Sequence, residues 1–305
     1  MDDIASYNKE ISFVWWNTSL SPVTKRDRSS DLEKNIAFTM IGLFLTEFKA
    51  DCVCLGEISN NDIALIKEIC DPLGYEIHNG VRPVGRTSFD TCVIFNKFKL
   101  ELLHGKEISS VKGGHNLKVA QQMDFINLTD NSIIHVFLSH WPSRLWCEEN
   151  GADRHYLGVR LRDAIEKLSV DQCLANVIVL GDFNDEPFDK SISDQLMATR
   201  DRFLAAKKRY LFYNPFWRHM CMSGVYSHDC NTPGHGGTYY YKNDSKNRWR
   251  TFDQILISSA FLGHTNWHLK ESGIKVIDMP GYIECIMSSD VSFDHMPVMA
   301  VIERV

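Results

Sequence analysis

Asp182 and Asn184 stand directly after an unbroken apolar run, residues 177–180, in the segment N-V-I-V-L-G-D-F-N-D-E-P. Such a run is the pattern of a strand buried on both faces. Side chains two apart face the same way in an extended segment, so Asp182 and Asn184 point together. Oxygen ligands delivered at the end of a buried strand suit chemistry on a phosphate or a metal ion. Read alone, the segment also fits a polar turn after a core strand, because Gly, Asp and Asn are the usual turn formers. The rest of the chain repeats the pattern. Apolar runs stop at Asn17, at Glu57 and at His140, and Asp294 and His295 stand just before another run. Asp253 lies inside T-F-D-Q-I-L-I-S, where a carboxylate between Phe252 and Ile255 is costly to desolvate without a partner.

Open α/β architectures gather strand-end residues from distant sequence into one crevice. The inventory is then His140, His295, Glu57, Asp182, Asp253, Asp294, Asn17 and Asn184. Hard oxygen ligands without Cys suit Mg²⁺, Mn²⁺ or Ca²⁺ rather than structural zinc. The set meets the needs of phosphodiester hydrolysis: a cation to neutralise the phosphate, a carboxylate to orient water, and imidazolium or amide donors for the transition state. The bland alternatives are core histidines and a structural ion pair at Asp253.

The elements that must position these groups follow from the apolar pattern. Residues 11–16 and 50–55 read as strands, with a loop carrying Lys25, Arg26 and Arg28 after the first. Leu32, Ile36, Met40, Leu43, Phe44 and Phe48 recur at helical spacing, with Asp31 as the expected cap. A helix is expected from about residue 61 to 70 and a strand from 75. Residues 89–96 and 100–104 are expected as strands, and 123–128 with 133–139 as a hairpin. Helices are expected over 159–168 and 192–206, long loops over 209–247, and the last core strands at 251–257 and 298–302. No repeat or composition break divides the chain, so residues 1–305 are expected as one catalytic domain.

The composition, 44% hydrophobic and 24% charged, is that of a globular protein. A net charge of −6 gives no sign of a general polyanion binder, although a bound divalent ion changes the local balance. The N-terminus shows neither a basic nor an apolar signal region, and no run is long enough to span a bilayer. Nine Cys without framework spacing read as reduced thiols, which points to the cytoplasm.

The ordered series W-N (Trp16, Asn17), G-E (Gly56, Glu57), S-H-W-P-S-R (residues 139–144), G-D-F-N-D-E-P (181–187), F-D-Q-I-L-I-S (252–258) and F-D-H-M-P-V (293–298) resembles the endonuclease/exonuclease/phosphatase superfamily. That is the fold of deoxyribonuclease I and the abasic-site endonucleases. The resemblance runs from Asn17 to Val298, and the H-W-P-S-R form is similar to that of bacterial members. It implies a four-layer αββα sandwich, with two mainly antiparallel sheets packed face to face and helices outside. It also implies that Glu57, Asp294 and Asn17 hold a divalent metal and that Asp182 orients or deprotonates the attacking water. Asn184 would hold the phosphate or a second ion, Asp253 and His295 would form the family's Asp–His pair, and His140 would donate to a phosphate oxygen.

G-R-T-S-F-D (residues 85–90) is similar to a deoxyribonuclease I segment in which a carboxylate pairs with the second His. Asp90 is thereby a partner for His140, one position early, and Arg86 a substrate contact. Arg144 and Arg160 are further phosphate contacts to expect. Two departures stand out: Gly56 where many members have Gln, and Phe293 where Ser usually precedes the Asp-His pair.

His219, Cys221, His228, Cys230 and His235 crowd one region, but their spacing matches no zinc ribbon or finger and a loop is the better reading. Residues 242–250 with Trp249 and Tyr239, Tyr240 and Tyr241 could guide a single strand by stacking and charge, or form a solvated loop over an aromatic cluster. The resulting expectation is a Mg²⁺- or Mn²⁺-dependent phosphodiesterase, a nuclease acting on DNA or RNA. Its rival is a phosphatase or phosphodiesterase acting on inositol phosphates, phospholipids or small nucleotides. A non-catalytic binding protein would be expected to lack one of Glu57, Asp182, Asp253 or His295, and all four are present.

Overall fold

Unbroken β-branched and aromatic runs become strands with both faces covered: in E-I-S-F-V-W-W-N every residue after Glu10 is buried. The computed structural model describes residues 9–22, 29–168, 175–224, 226–228 and 234–305. Its strands are β1 (Glu10–Asn17), β2 (Cys52–Gly56), β3 (Tyr75–Asn79), β4 (Arg82–Val84), β5 (Thr87–Phe89), β6 (Cys92–Asn96), β7 (Leu100–Lys112), β8 (His115–Asn127) and β9 (Ile133–His140). There follow β10 (Asn176–Asp182), β11 (Ala198–Thr199), β12 (Phe212–Tyr213), β13 (Tyr239–Tyr240), β14 (Trp249–Arg250), β15 (Asp253–Ser258), β16 (Trp267–Val276) and β17 (Val298–Arg304). One sheet has the order β16-β17-β1-β2-β6-β3, the other β11-β12-β15-β10-β9-β8-β7. The pairs β1–β2, β9–β10 and β11–β12 are parallel and the other pairs within these two sheets are antiparallel.

The two sheets pack face to face. Phe13, Trp15 and Ile94 from one share a core with Val136, Leu138, Ile178, Leu180 and Ile255 from the other. The strand period of two sends the alternate residues Val177 and Val179 to the opposite face, under Leu157, Leu161 and Ile165 of the helix Ala152–Glu166. Helix Asp31–Thr46 lays Ala37, Met40, Ile41 and Phe44 on the first sheet's core, and helix Asn60–Cys70 adds Ile63 and Ile66. The result is the four-layer αββα sandwich.

Several local expectations are corrected. Ser30, not Asp31, caps the first helix, because Glu33 is placed to return the bond and close a capping box. The helix expected over 192–206 is broken into a π turn Ser191–Gln195, the short strand β11 and a helix Arg202–Lys207. Met197 turns to φ 59°, and Asp201 caps the second piece by accepting from Leu204 N. β7 runs to Lys112, well past residue 104, and the edge strand β16 carried no pattern that marked it. The loop with Lys25, Arg26 and Arg28 lies outside the described residues. Among the described residues no helix is long and apolar enough to cross a membrane.

Candidate active site

Strand register alone brings half of the site together. β10 lies between β9 and β15, and its last residue, Asp182, is paired with His140 on one side and Asp253 on the other. In the facing sheet Asn17 ends β1 opposite Gly56 of β2, so Glu57 follows at the same edge. The segment carrying Asp294 and His295 is held there by Tyr240 N donating to Asp294 O (2.7 Å) and Met296 N to Thr238 O (2.7 Å). Two glycines make the close approaches possible. Gly181, at φ 150°, has Ser139 O 1.8 Å from where a Cβ would sit, and at Gly56 a Cβ would meet the Trp15 ring at 2.6 Å. Ser19, Glu57 and Asn184 all take positive φ at this edge (53°, 54° and 51°), a strain of about 1–3 kcal/mol each that clusters at functional sites.

Asp182 is the hub. Its Oδ2 lies 3.9 Å from His140 Nε2 and 3.7 Å from His295 Nε2. Asn184 N (2.8 Å to Oδ1), Asn184 Nδ2 (3.1 Å to Oδ2) and Asn17 Nδ2 (3.3 Å to Oδ2) donate to it, so the carboxylate is oriented by amides. Each imidazole is backed by its own carboxylate: His295 Nδ1 by Asp253 Oδ2 at 2.8 Å, His140 Nδ1 by Asp90 Oδ1 at 3.0 Å. Burial works against a charged His295, yet Asp253, Asp182 and Asp294 together raise its pKa well above the ordinary imidazole value. The same opposition, won by Asp90, raises His140.

Glu57 and Asp294 face the two imidazoles, at 3.9 Å from His140 Nε2 and 3.8 Å from His295 Nε2. Burial, resisted by His140 and reinforced by Asp294 and Asp90, pushes Glu57 up to about 7. Burial raises Asp294 as well. Half-buried carboxylates gathered at one edge fit a bound divalent cation, whose charge would relieve both shifts, and the donors are the hard oxygens such an ion takes. Asp182, Asp253 and His295 also bring ligand atoms within 4.8 Å of one another and could hold an ion. Asp253 is the weaker ligand of the two sets, because its Oδ1 accepts from Trp15 Nε1 (2.7 Å) and its Oδ2 is taken by His295.

The arginines expected at a phosphate are placed differently. Arg144 donates to Asn184 O (2.9 Å), pairs with Asp189 (2.6 Å) and Glu149, and stacks over Phe252, so its guanidinium clamps the loop after β10. Arg160 pairs with Asp163 along its own helix at 3.0 Å and lies over the Tyr156 ring. Arg86 is exposed in the β4–β5 turn, beside Gly113 of the β7–β8 turn and His115 at the start of β8. In the basic stretch, Lys242 caps Ser288 O and Val291 O, Arg248 donates to Tyr240 Oη, and Arg250 pairs with Asp244. His219 and His235 are pushed down by burial, His219 to about 4, and Cys221 is exposed. Cys230 lies outside the described residues.

Three residues that support the site, Trp15, Lys118 and Arg154, escaped the sequence reading, whereas Tyr239 was expected either to stack a single strand or to join an aromatic cluster. Trp15 fills the space left open at Gly56 and bonds Asp253. Lys118 Nζ lies 3.0 Å from Asp90 Oδ1. Tyr239 packs 4.7 Å from His295, centroid to centroid, and stacks on Phe252. Arg154, fully buried, donates to Pro142 O, Cys147 O and Phe183 O (2.8, 2.7 and 3.1 Å), tying the loop after His140 to the loop after Asp182. A basic residue at an inward position is the only signal that could have flagged Lys118 and Arg154.

Residues 25–280 match the model of the Endonuclease/Exonuclease/phosphatase family. Solved structures of the same fold include the human Nocturnin catalytic domain with bound sulfate (14% identity, TM-score 0.64, covering 97% of this chain and 95% of that one). D. rerio TDP2 complexed with a single-strand DNA product aligns at 15% identity and TM-score 0.61, covering 96% of this chain and 99% of that one. The Bacteroides thetaiotaomicron mannosyl-6-phosphatase Bt3783 aligns at 12% identity and TM-score 0.59, over 96% of this chain and 99% of that one. No curated protein matches the sequence at a significant level.

Proposed function

Since the chain belongs to the endonuclease/exonuclease/phosphatase family, whose enzymes are phosphoric ester hydrolases generally dependent on a divalent metal, we propose that it is a Mg²⁺- or Mn²⁺-dependent phosphodiesterase that cleaves DNA or RNA. The observation that carries this reading is Asp182, oriented by three amide donors and flanked within 4 Å by two imidazoles that each rest on a carboxylate. Glu57 and Asp294, with Asn17, would hold the metal, which when bound neutralises phosphate charge.

The steps fall to the chain's own groups. Asp182 orients water for in-line attack and takes its proton, with Asn17 and Asn184 fixing the carboxylate. His295 and His140 donate from Nε2 to phosphate oxygens as negative charge builds in the five-coordinate transition state. Asp253 and Asp90, hydrogen-bonded at Nδ1, keep each ring turned with Nε2 toward the substrate and favour its charged form. Buried free thiols at Cys52, Cys54, Cys70 and Cys92 suit a reducing compartment, so we place the enzyme in the cytoplasm, as one catalytic domain.

A nucleic acid substrate is supported by the aromatic stack Tyr241–Tyr239–Phe252 beside His295, whose outer ring, Tyr241, is exposed. A second reading, hydrolysis of a small phosphoester, is favoured by the engagement of Arg144, Arg160, Lys242 and Arg250 within the protein. The test is EDTA-sensitive turnover on single- and double-stranded DNA, RNA, phosphoinositide and bis-p-nitrophenyl phosphate, with Asp182→Ala alongside. Cleavage of a polynucleotide that Asp182→Ala abolishes is expected. Full activity in that variant refutes the site, and turnover confined to phosphoinositide refutes the nuclease reading.

A further inference from the structure

We propose that Lys118 is a positioning residue for this hydrolysis: bonded to the Asp90 oxygen that also receives His140 Nδ1, it fixes the imidazole whose Nε2 faces Asp182 and Glu57. The proposal deepens the assigned function and rests on it.

Topology brings the three groups together from separate elements. β8 pairs with β9 in the register Gln121↔Leu138, and continuing that register sets Lys118 beside the residues around His140. The next residue, Val119, accepts on its carbonyl from Ser139 Oγ (3.1 Å) and Trp141 Nε1 (3.0 Å), the two neighbours of His140. Asp90 arrives from the other sheet, in the link between β5 and β6, and its backbone carbonyl accepts from Ile58 N, next to Glu57 (2.9 Å). The Lys118–Asp90 pair therefore joins the two sheets at the point where His140 must be held.

The hydrogen-bond pattern shows what depends on the lysine. Lys118 Nζ and His140 Nδ1 both lie 3.0 Å from Oδ1, while Oδ2 is buried and has no hydrogen-bond partner among the described residues. One oxygen thus carries the whole attachment. Without the ammonium, only the imidazole would orient the carboxylate that is supposed to orient the imidazole. The other pair solves the same problem with a different donor: Asp253 gives Oδ2 to His295 and is pinned through Oδ1 by the Trp15 indole. Each histidine at the site is therefore backed by a carboxylate that a further donor holds in place. Lys118 is only 8% exposed, and a core does not need such an ion pair as a whole, because well-packed apolar groups often serve as well; with Asp90 present, however, the lysine also compensates a buried charge.

The experiment uses the full chain loaded with Mg²⁺ and bis-p-nitrophenyl phosphate as substrate. Lys118→Met is expected to lower kcat by about 10–100-fold, the usual effect of losing a partner behind a working ligand, with KM within about twofold of the parent. Lys118→Arg should recover most of the loss. If Lys118 acts only through Asp90, Lys118→Met combined with Asp90→Asn should be no slower than Asp90→Asn alone. A folded Lys118→Met variant with the parent kcat overturns the proposal, as does a loss confined to KM or losses that multiply in the double variant. Should Lys118→Met not fold, proton NMR of the unsubstituted protein decides. A far-downfield, slowly exchanging imidazole N–H that disappears in His140→Gln is expected, and its absence counts against the proposal. Turnover surviving in Asp182→Ala would instead locate the failure in the hydrolytic reading.

Discussion

Replacing Asp253 with Asn should disable the enzyme while leaving its fold intact, and the reason is tautomeric. Asp253 accepts two hydrogen bonds on separate oxygens, from Trp15 Nε1 at 2.7 Å and from His295 Nδ1 at 2.8 Å. An Asn side chain has one acceptor and one donor end. Indole can only donate, so the amide oxygen must face Trp15 and the amide nitrogen must face the ring. His295 can answer only by presenting a bare Nδ1 and carrying its proton on Nε2. The hydrogen bonds survive in number, but the imidazole can no longer be charged. Losing a preorganised charged donor at the transition state costs about 3–4 kcal/mol, or about 10²–10³ in kcat. Stability should change by no more than about 1 kcal/mol, because every bond is replaced and a buried charge is removed. Asp253→Ala is the contrast: two buried donors lose their acceptor, at about 1–3 kcal/mol each, so activity and melting temperature fall together. Steady-state turnover of bis-p-nitrophenyl phosphate and thermal melts of both variants separate the cases. An Asp253→Asn variant that keeps a tenth or more of parental kcat, or that melts as low as Asp253→Ala, refutes the tautomer argument.

Two further expectations come from particular contacts. Gly56→Gln, which installs the residue common elsewhere in the family, should lower activity rather than raise it, because a Cβ there meets the Trp15 ring at 2.6 Å and displaces the indole from Asp253; a parental kcat with parental tryptophan fluorescence would contradict this. The second concerns pH and Asp124, a carboxylate of β8 outside the candidate site. Burial works against the charge on Asp124, but hydrogen bonds from His135 and Gln122 outweigh it and hold its pKa below the ordinary carboxylate value. A depressed folded-state pKa contributes stability above the unfolded pKa of about 3.9, and that stability is lost as pH falls through the folded value. Asp124→Asn should therefore lower the melting temperature at pH 7, with the gap to the parent narrowing below about pH 4; a gap that is constant or grows in acid would show the sign to be wrong.

The residues at which apolar runs stop were legible before any coordinates, because a buried strand announces its own end and each of these ends carries a group too polar to have continued it. Asn17, Glu57, His140 and Asp182 belong to this class, and strand register then sets Asp182 between His140 and Asp253. Asp253 was legible for the opposite reason, a charge inside an apolar strand that had to have a partner. What that partner's support would be was not legible. Trp15 lies 238 residues from Asp253 along the chain, and only the packing of one sheet on the other brings them within 2.7 Å. Lys118 lay outside every element expected from the sequence, and only β8, which begins at His115, turns it inward to Asp90. Arg144 carried a motif that suggested a phosphate, yet Asp189, Asn184 O and Phe252 surround it because the loops after β9 and β10 fold against each other. Sequence alone determined which groups could do the chemistry, since their type and their position at a strand end are local properties. Only the tertiary structure decided what holds each group in position, because a hydrogen-bond partner is chosen by distance in space and the chain records only order.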